Sequence, residues 1–157
     1  MRLPDLGSLG QGWVILQLAL LTLITLAGTA DPAWSGALGA ATSALGAAAI
    51  VVGALLMFLG ARALGASFTP LPRPLETARL VETGIYAQVR HPIYGGLMVA
   101  AFGYGGLTAS PLALVLAAIL AALLVAKTIR EEAWLVERYA GYPDYRRRTR
   151  RFFPRLI

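Results

Sequence analysis

Ala37–Ala61 reads ALGAATSALGAAAIVVGALLMFLGA, a run of 25 residues without one charged side chain. A helix needs about 20 predominantly apolar residues to cross the hydrocarbon core of a bilayer. This run is long enough, and it holds no charge that would have to be hidden from lipid. Within it Gly39, Gly46, Gly53 and Gly60 recur every seven residues. That spacing keeps them on one helix face, where the missing side chains let a neighbouring backbone come close. The plain reading is a packing seam; a dimerisation face is the sharper alternative.

Three further apolar stretches flank this one: Trp13–Ala30, Ile93–Thr108 and Pro111–Ala126. The expectation is an all-α integral membrane protein with about four transmembrane helices. The connections Asp31–Gly36 and Ala109–Ser110 contain no Lys or Arg. All fourteen basic residues fall on the other side: Arg2, then Arg62, Arg73, Arg79 and Arg90 between the second and third stretches, then the tail after Ala126. Positive charge is retained on the cytoplasmic side, so the 62–92 loop and both termini are expected in the cytoplasm. A cleaved signal peptide is the competing reading of Trp13–Ala30. Its charged region is weak and its apolar run exceeds the usual 7–15 residues or so, so a retained first helix is expected.

The composition agrees. The chain is 57% hydrophobic and only 14% charged, where a soluble domain carries about 25% charged residues. Its length suits a single domain, 1–157, made of two helices (1–61), a loop (62–92), a helical hairpin (93–126) and a C-terminal region (127–157). The net charge of +6 flanks apolar helices, where anionic headgroups supply the counter-charge; nucleic acid is not expected. There is no cysteine and one histidine. That rules out disulfides, thiolate nucleophiles and Cys-ligated or multi-His metal sites.

The chemistry-bearing residues gather on the basic side. Pro70, Pro72 and Pro74 forbid a regular helix, so residues 66–80 should lie at or above the headgroups. Pro92 suits the first turn of the third helix, with His91 extended before it. The opening N–H groups of that helix lack helical partners and suit a carboxylate or phosphate. Arg90, His91 and Tyr86 stand nearby. The fourth helix should run on past Ala126 through Lys127, Arg130, Glu131, Glu132 and Leu135. Its acids can hold an amino group, ribose hydroxyls or a cation. Blander roles exist for each residue. Arg90 and Arg130 can anchor headgroups, and His91 can bond backbone at the helix entry. Glu131 and Glu132 can pair with Lys127, Arg130 or Arg138, and Tyr86, Tyr139, Tyr142 and Tyr145 can form an interfacial belt. The run Arg146–Pro154, basic with aromatics, reads by itself as a membrane-surface anchor.

Taken together, two segments say more. Leu80-Val81-Glu82-Thr83-Gly84-Ile85-Tyr86 followed by Val89-Arg90-His91-Pro92-Ile93-Tyr94-Gly95 resembles the first signature of the isoprenylcysteine carboxyl methyltransferase family, whose superfamily includes phospholipid methyltransferase-like proteins. Glu131-Glu132, Leu135, Tyr139, Gly141-Tyr142, Tyr145, Arg146, Thr149 and Pro154 resemble the second. The likeness covers roughly residues 75–157. It implies an integral membrane methyltransferase dependent on S-adenosyl-L-methionine, with no Rossmann domain. Its cofactor site would form from the loop before helix 3 and the extension after helix 4. The cofactor-binding positions carried over are Ala78, Arg79, Leu80, Val81, Tyr86, His91, Pro92, Ile93, Tyr94 and Glu131, with His91 and Glu131 as positioning candidates. The prenylcysteine enzymes carry a substrate-linked Arg where this chain has Lys127. Lys attracts a carboxylate but lacks the bidentate fork, and Arg130 is a second basic group able to serve.

The expected reaction is methylation of a lipophilic or lipidated acceptor drawn from the membrane lipids, with a carboxylate oxygen as the favoured target. Phospholipid or other N- or S-methylation is the alternative. An NADPH-dependent membrane reductase and a non-enzymatic scaffold are the readings from other classes. The Ala/Gly/Arg-rich chain fits a prokaryotic plasma membrane.

Overall fold

The computed structural model describes residues 4–30, 32–74 and 76–154. Arg2, Asp31 and Arg155 lie outside the described residues. The described residues form five α-helices: α1 (Gln11–Ala27), α2 (Gly36–Leu64), α3 (Pro92–Leu107), α4 (Pro111–Arg138) and α5 (Tyr142–Arg148). Among the described residues there is no strand, only an isolated parallel bridge between Val89 and Arg150.

Helix boundaries follow local chemistry. Pro92 and Pro111 open α3 and α4, where a missing N–H costs nothing. Ser110 caps α4 by accepting from the Ala113 N–H (3.2 Å), and its hydroxyl donates to the Ala27 carbonyl of α1 (2.9 Å). The α3–α4 turn is thereby tied to the end of α1. The fourth apolar stretch continues unbroken to Arg138, so its ionic residues ride on one rigid helix.

Among the described residues two segments, Gly36–Ser67 and Pro111–Arg138, are long and apolar enough to cross a membrane, their apolar 18-residue windows having mean hydropathies of 2.4 and 2.6. Only 17% of the first is buried. A soluble core helix would be largely covered; here Leu45, Val51 and Phe58 stand on the outside. α1 and α3 are shorter, at 17 and 16 residues.

α3 is the centre of the bundle, and its glycines are the reason. A Cβ at Gly53 would stand 2.4 Å from the Gly96 carbonyl oxygen, and one at Gly46 would stand 2.4 Å from that of Gly103. The approach is reciprocal: a Cβ on Gly96 or Gly103 would strike the carbonyl of Gly53 or Gly46. α2 and α3 therefore touch backbone to backbone, antiparallel, at two points seven residues apart. Gly60 continues the seam against Pro92 and Ile93. Gly39 does not: its nearest neighbour is the carbonyl of Trp34 in its own segment, because α3 has ended by that level. On other faces of α3, Gly105 receives Leu114 of α4 and Gly95 receives the backbone of Phe152. α1 packs on α4, whose Ala113, Ala117, Leu120 and Leu124 form a fully buried stripe with Ile24, Met98 and Ala101.

This topology gathers the start of α1, the end of α2, the start of α3 and the end of α4 at one end of the bundle. Every described basic residue lies there.

Candidate functional site

A cavity of about 430 Å³ occupies that polar end. One wall is the loop over residues 67–81. It is held in place by the Arg79 N–H, which donates to Ser67 Oγ (3.2 Å), and by the Tyr139 hydroxyl, which donates to the Ala78 carbonyl (2.7 Å). A second wall is the start of α3, a third the polar end of α4, and α1 closes the side with Val14, Gln17 and Leu18.

His91 caps α3 with φ −130° and ψ 59°, non-helical as Pro92 requires. Its carbonyl accepts the Gly95 N–H (3.0 Å). The N–H groups of Ile93 and Tyr94 come before that first helical bond, so the cavity faces a helix start with free donors. The His91 ring is buried and stacks on Tyr94 (centroids 5.6 Å apart). The Tyr94 hydroxyl donates to Glu131 Oε2 (2.9 Å), joining residues 37 apart in sequence across the cavity.

The neighbouring acids have separate roles. Glu131 lines the cavity; Glu132 does not. Glu132 is buried and collects cations. Its Oε1 accepts from Arg90 Nε (2.9 Å) and lies 3.3 Å from His91 Nε2; its Oε2 faces Arg151 (3.4 Å) and Arg146 (4.0 Å). An ionised carboxylate only accepts, so His91 Nε2 carries its proton there. Arg90 also donates to the carbonyls of Arg146 and Thr149. The pairings with Lys127, Arg130 or Arg138 allowed by helical spacing do not form for Glu132.

The basic tail is therefore more than a surface anchor. The N–H groups of Arg90 and His91 donate to the carbonyls of Arg150 and Arg151 (2.8 Å each), and the Arg150 N–H donates to Gln88 (2.9 Å). The Tyr145 hydroxyl donates to the Tyr86 carbonyl (2.8 Å). Burial raises the phenols of Tyr86, Tyr142 and Tyr145 well above their usual value, so all three are neutral donors at physiological pH. Tyr142 is 1% exposed, lines the cavity, and leaves its hydroxyl without a partner among the described residues. Such an orphaned donor is left for a water or a polar ligand to satisfy.

Of the cofactor- and substrate-contact positions singled out from the sequence, Ala78, Arg79, Leu80, Val81, Tyr86, His91, Ile93, Tyr94, Lys127 and Glu131 line this one cavity. Two do not. Pro92 is turned toward Gly60 of α2. Arg130 pairs with Asp5 and lies 4.0 Å above the Trp134 ring, outside the cavity. Sequence reasoning passed over Gln17, whose signal was an amide alone in an apolar run. It also gave Tyr142 and Tyr145 no place in the site although both stood in the second signature. Among the described residues no three His, Cys, Asp or Glu side chains converge as a metal site.

The arrangement can hold an anionic group against the α3 start and a cationic or hydroxyl group at Glu131, with the tail closed over both. The chain resembles two curated proteins over about half its length. It is 38% identical over 82 residues to the nickel-cobalt-cadmium resistance protein NccN of Alcaligenes xylosoxydans xylosoxydans, covering 52% of this chain and 38% of that protein. It is 35% identical over 78 residues to the cobalt-zinc-cadmium resistance protein CzcN of Cupriavidus metallidurans, covering 49% and 36%. The match thus spans little more than a third of either relative. A family model described as phospholipid methyltransferase matches residues 41–141, from the α2–α3 seam through both acids of α4. With that match across most of the bundle, the chain belongs to the phospholipid methyltransferase family of membrane methyltransferases.

Proposed function

We propose that the chain transfers a methyl group from S-adenosyl-L-methionine to a lipophilic acceptor, with a carboxylate oxygen as the favoured target. The observation that carries this reading is the single cavity lined by both signature segments, one reaching it from α3 and the other from α4. Its donor set fits the cofactor. The free N–H groups at the start of α3 suit the methionine carboxylate, Glu131 suits an amino or hydroxyl group, and the Tyr142 hydroxyl awaits an acceptor. The same reading takes α1 and α3 as spans beside α2 and α4 in one domain, and puts the polar end in the cytoplasm of a prokaryotic cell.

The bound cofactor would supply an electrophilic methyl group on a sulfonium. The chain's own residues then have three tasks. Stacked His91 and Tyr94, with Glu131, fix orientation; alignment of this kind supplies much of the rate in a direct transfer. The 67–81 loop and the tail exclude water. Lys127 attracts the acceptor. A carboxylate acceptor is ionised at neutral pH and needs no base, whereas an amine would need one, with Glu131 in reach of that role.

The test is calorimetric titration of detergent-purified protein with S-adenosylmethionine, beside folded His91→Ala and Glu131→Ala variants. Saturable binding by the native protein, weakened at least tenfold in both variants, is expected. Equal affinity in all three would remove these residues from the site. Binding of NADPH in its place would favour the reductase reading.

A further inference from the structure

Lys127 is 1% exposed and forms no ion pair among the described residues. This sets it apart from Arg90, Arg130, Arg146, Arg148 and Arg151, all of which meet a carboxylate. Its ammonium instead donates to two neutral oxygens, Gln17 Oε1 (2.8 Å) and the Pro70 carbonyl (3.5 Å), and sits 4.8 Å from the Tyr94 ring centroid. Glu131, one turn further along α4, is occupied by the Tyr94 hydroxyl. Burial disfavours the Lys127 charge, the Glu131 carboxylate offsets this only in part and without an ion-pair contact, and an entering anion would offset it further.

Gln17 is the half of this feature contributed by α1. An ammonium has no acceptor, so the Gln17 atom facing it is the carbonyl oxygen. The amide nitrogen therefore points elsewhere, and its two protons find no acceptor among the described residues. Gln17 lines the cavity, flanked there by Val14 and Leu18, with Leu64, Phe68 and Leu97 completing an apolar wall. Two donors of different kinds, ammonium and carboxamide, thus stand together where the polar cavity gives way to apolar side chains. That is the chemistry of a site for an anionic head on a hydrocarbon chain.

We propose that Gln17 is a specificity-determining residue: its carboxamide donates alongside Lys127 Nζ to the carboxylate of an amphiphilic acceptor, selecting acids over amines. This rests on the methyl-transfer reading only for what happens next; the binding site stands apart from it. Gln17 precedes the stretch matched to the family.

The probes are palmitate and, as the cationic comparator, hexadecylamine. Each competes for purified protein against a fluorescent fatty acid, and methyl transfer from labelled S-adenosylmethionine is followed in parallel. The variants are Gln17→Leu, which keeps the bulk, Gln17→Glu, which hands Lys127 an internal counter-ion, and Gln17→Asn, which keeps a carboxamide. Thermal unfolding serves as the folding control. Native protein should prefer palmitate. Gln17→Leu should weaken palmitate about tenfold and Gln17→Glu more, with affinity for S-adenosylmethionine within about twofold of native. Gln17→Asn should recover part of the loss. Palmitate binding unchanged in folded Gln17→Leu and Gln17→Glu, or no preference for palmitate in native protein, would overturn the proposal. Acid binding that depends on Gln17 without any methyl transfer would uphold the subsite and sink the transferase reading. Methyl transfer indifferent to Gln17 would do the reverse.

Discussion

The body of α3 and its start are held by different means. Along its length α3 meets α2 backbone to backbone at two points, Gly46 against Gly103 and Gly53 against Gly96, with small side chains such as Ala49 and Ala100 beside them. At its start α3 is held by charged side chains together with backbone pairing to the tail. Glu132 gathers Arg90, His91, Arg146 and Arg151, and the tail backbone pairs with residues 88–91. The difference follows from the surroundings. In lipid no hydrophobic drive brings helices together, so close van der Waals packing of small residues must do it. At the polar end charges are available, and one buried carboxylate can cross-link three segments.

Four substitutions would break or sharpen this contrast. The largest effect should come from Glu132→Ala, which leaves Arg90 and His91 buried without their acid. Removing one partner of a buried pair costs about 3–5 kcal/mol, seen as a lower unfolding temperature in detergent. Weakened S-adenosylmethionine binding should follow although Glu132 lines no part of the cavity. A loss under 1 kcal/mol would mean that the tail is held by its backbone bonds alone. Next is Gly53→Ala, whose Cβ would fall 2.4 Å from the Gly96 oxygen and 2.9 Å from the Ala100 nitrogen. Backbone cannot yield as a flexible side chain does, so a cost of about 1–3 kcal/mol is expected. Gly39→Ala, outside the seam, should cost little; equal costs would erase the distinction. The smallest effect should be that of Arg130→Ala. Its partner Asp5 is exposed, and such pairs contribute about 0–1 kcal/mol. Acceptor and cofactor affinities should stay native, and a tenfold fall in either would bring Arg130 back into the site.

The same contrast explains what could be read from the sequence. The seam was legible because its signal is local: four glycines at a fixed period on one helix. Four helices were legible, three from apolar runs within a few residues of their ends and α4 from an apolar run together with the ionic extension beyond it. Gly39 misled, since periodicity does not reveal where the partner helix stops. The polar end was legible only as a set of candidates. Glu131 and Glu132 are adjacent, and helical phase turns one into the cavity and the other away from it; spacing alone could not say which. The partners of Glu132 lie 42, 41, 14 and 19 residues away, beyond any helical rule. Arg130 shares the basic character of Lys127 but points toward Asp5. Gln17 was visible as a polar residue in an apolar run, and its meaning required the buried Lys127 beside it.

The seam also bears on which changes of length the chain can absorb. Each residue added to a helix rotates everything beyond it by about 100°. A single insertion between Gly46 and Gly53 would swing one of them out of the seam and drive a side chain into the facing backbone. An insertion of seven would nearly restore the phase. The irregular stretch from Phe68 to Pro74 has no such periodicity to preserve. Natural and engineered length variation should therefore concentrate there, while α2 and α3 change by substitution or by whole heptads.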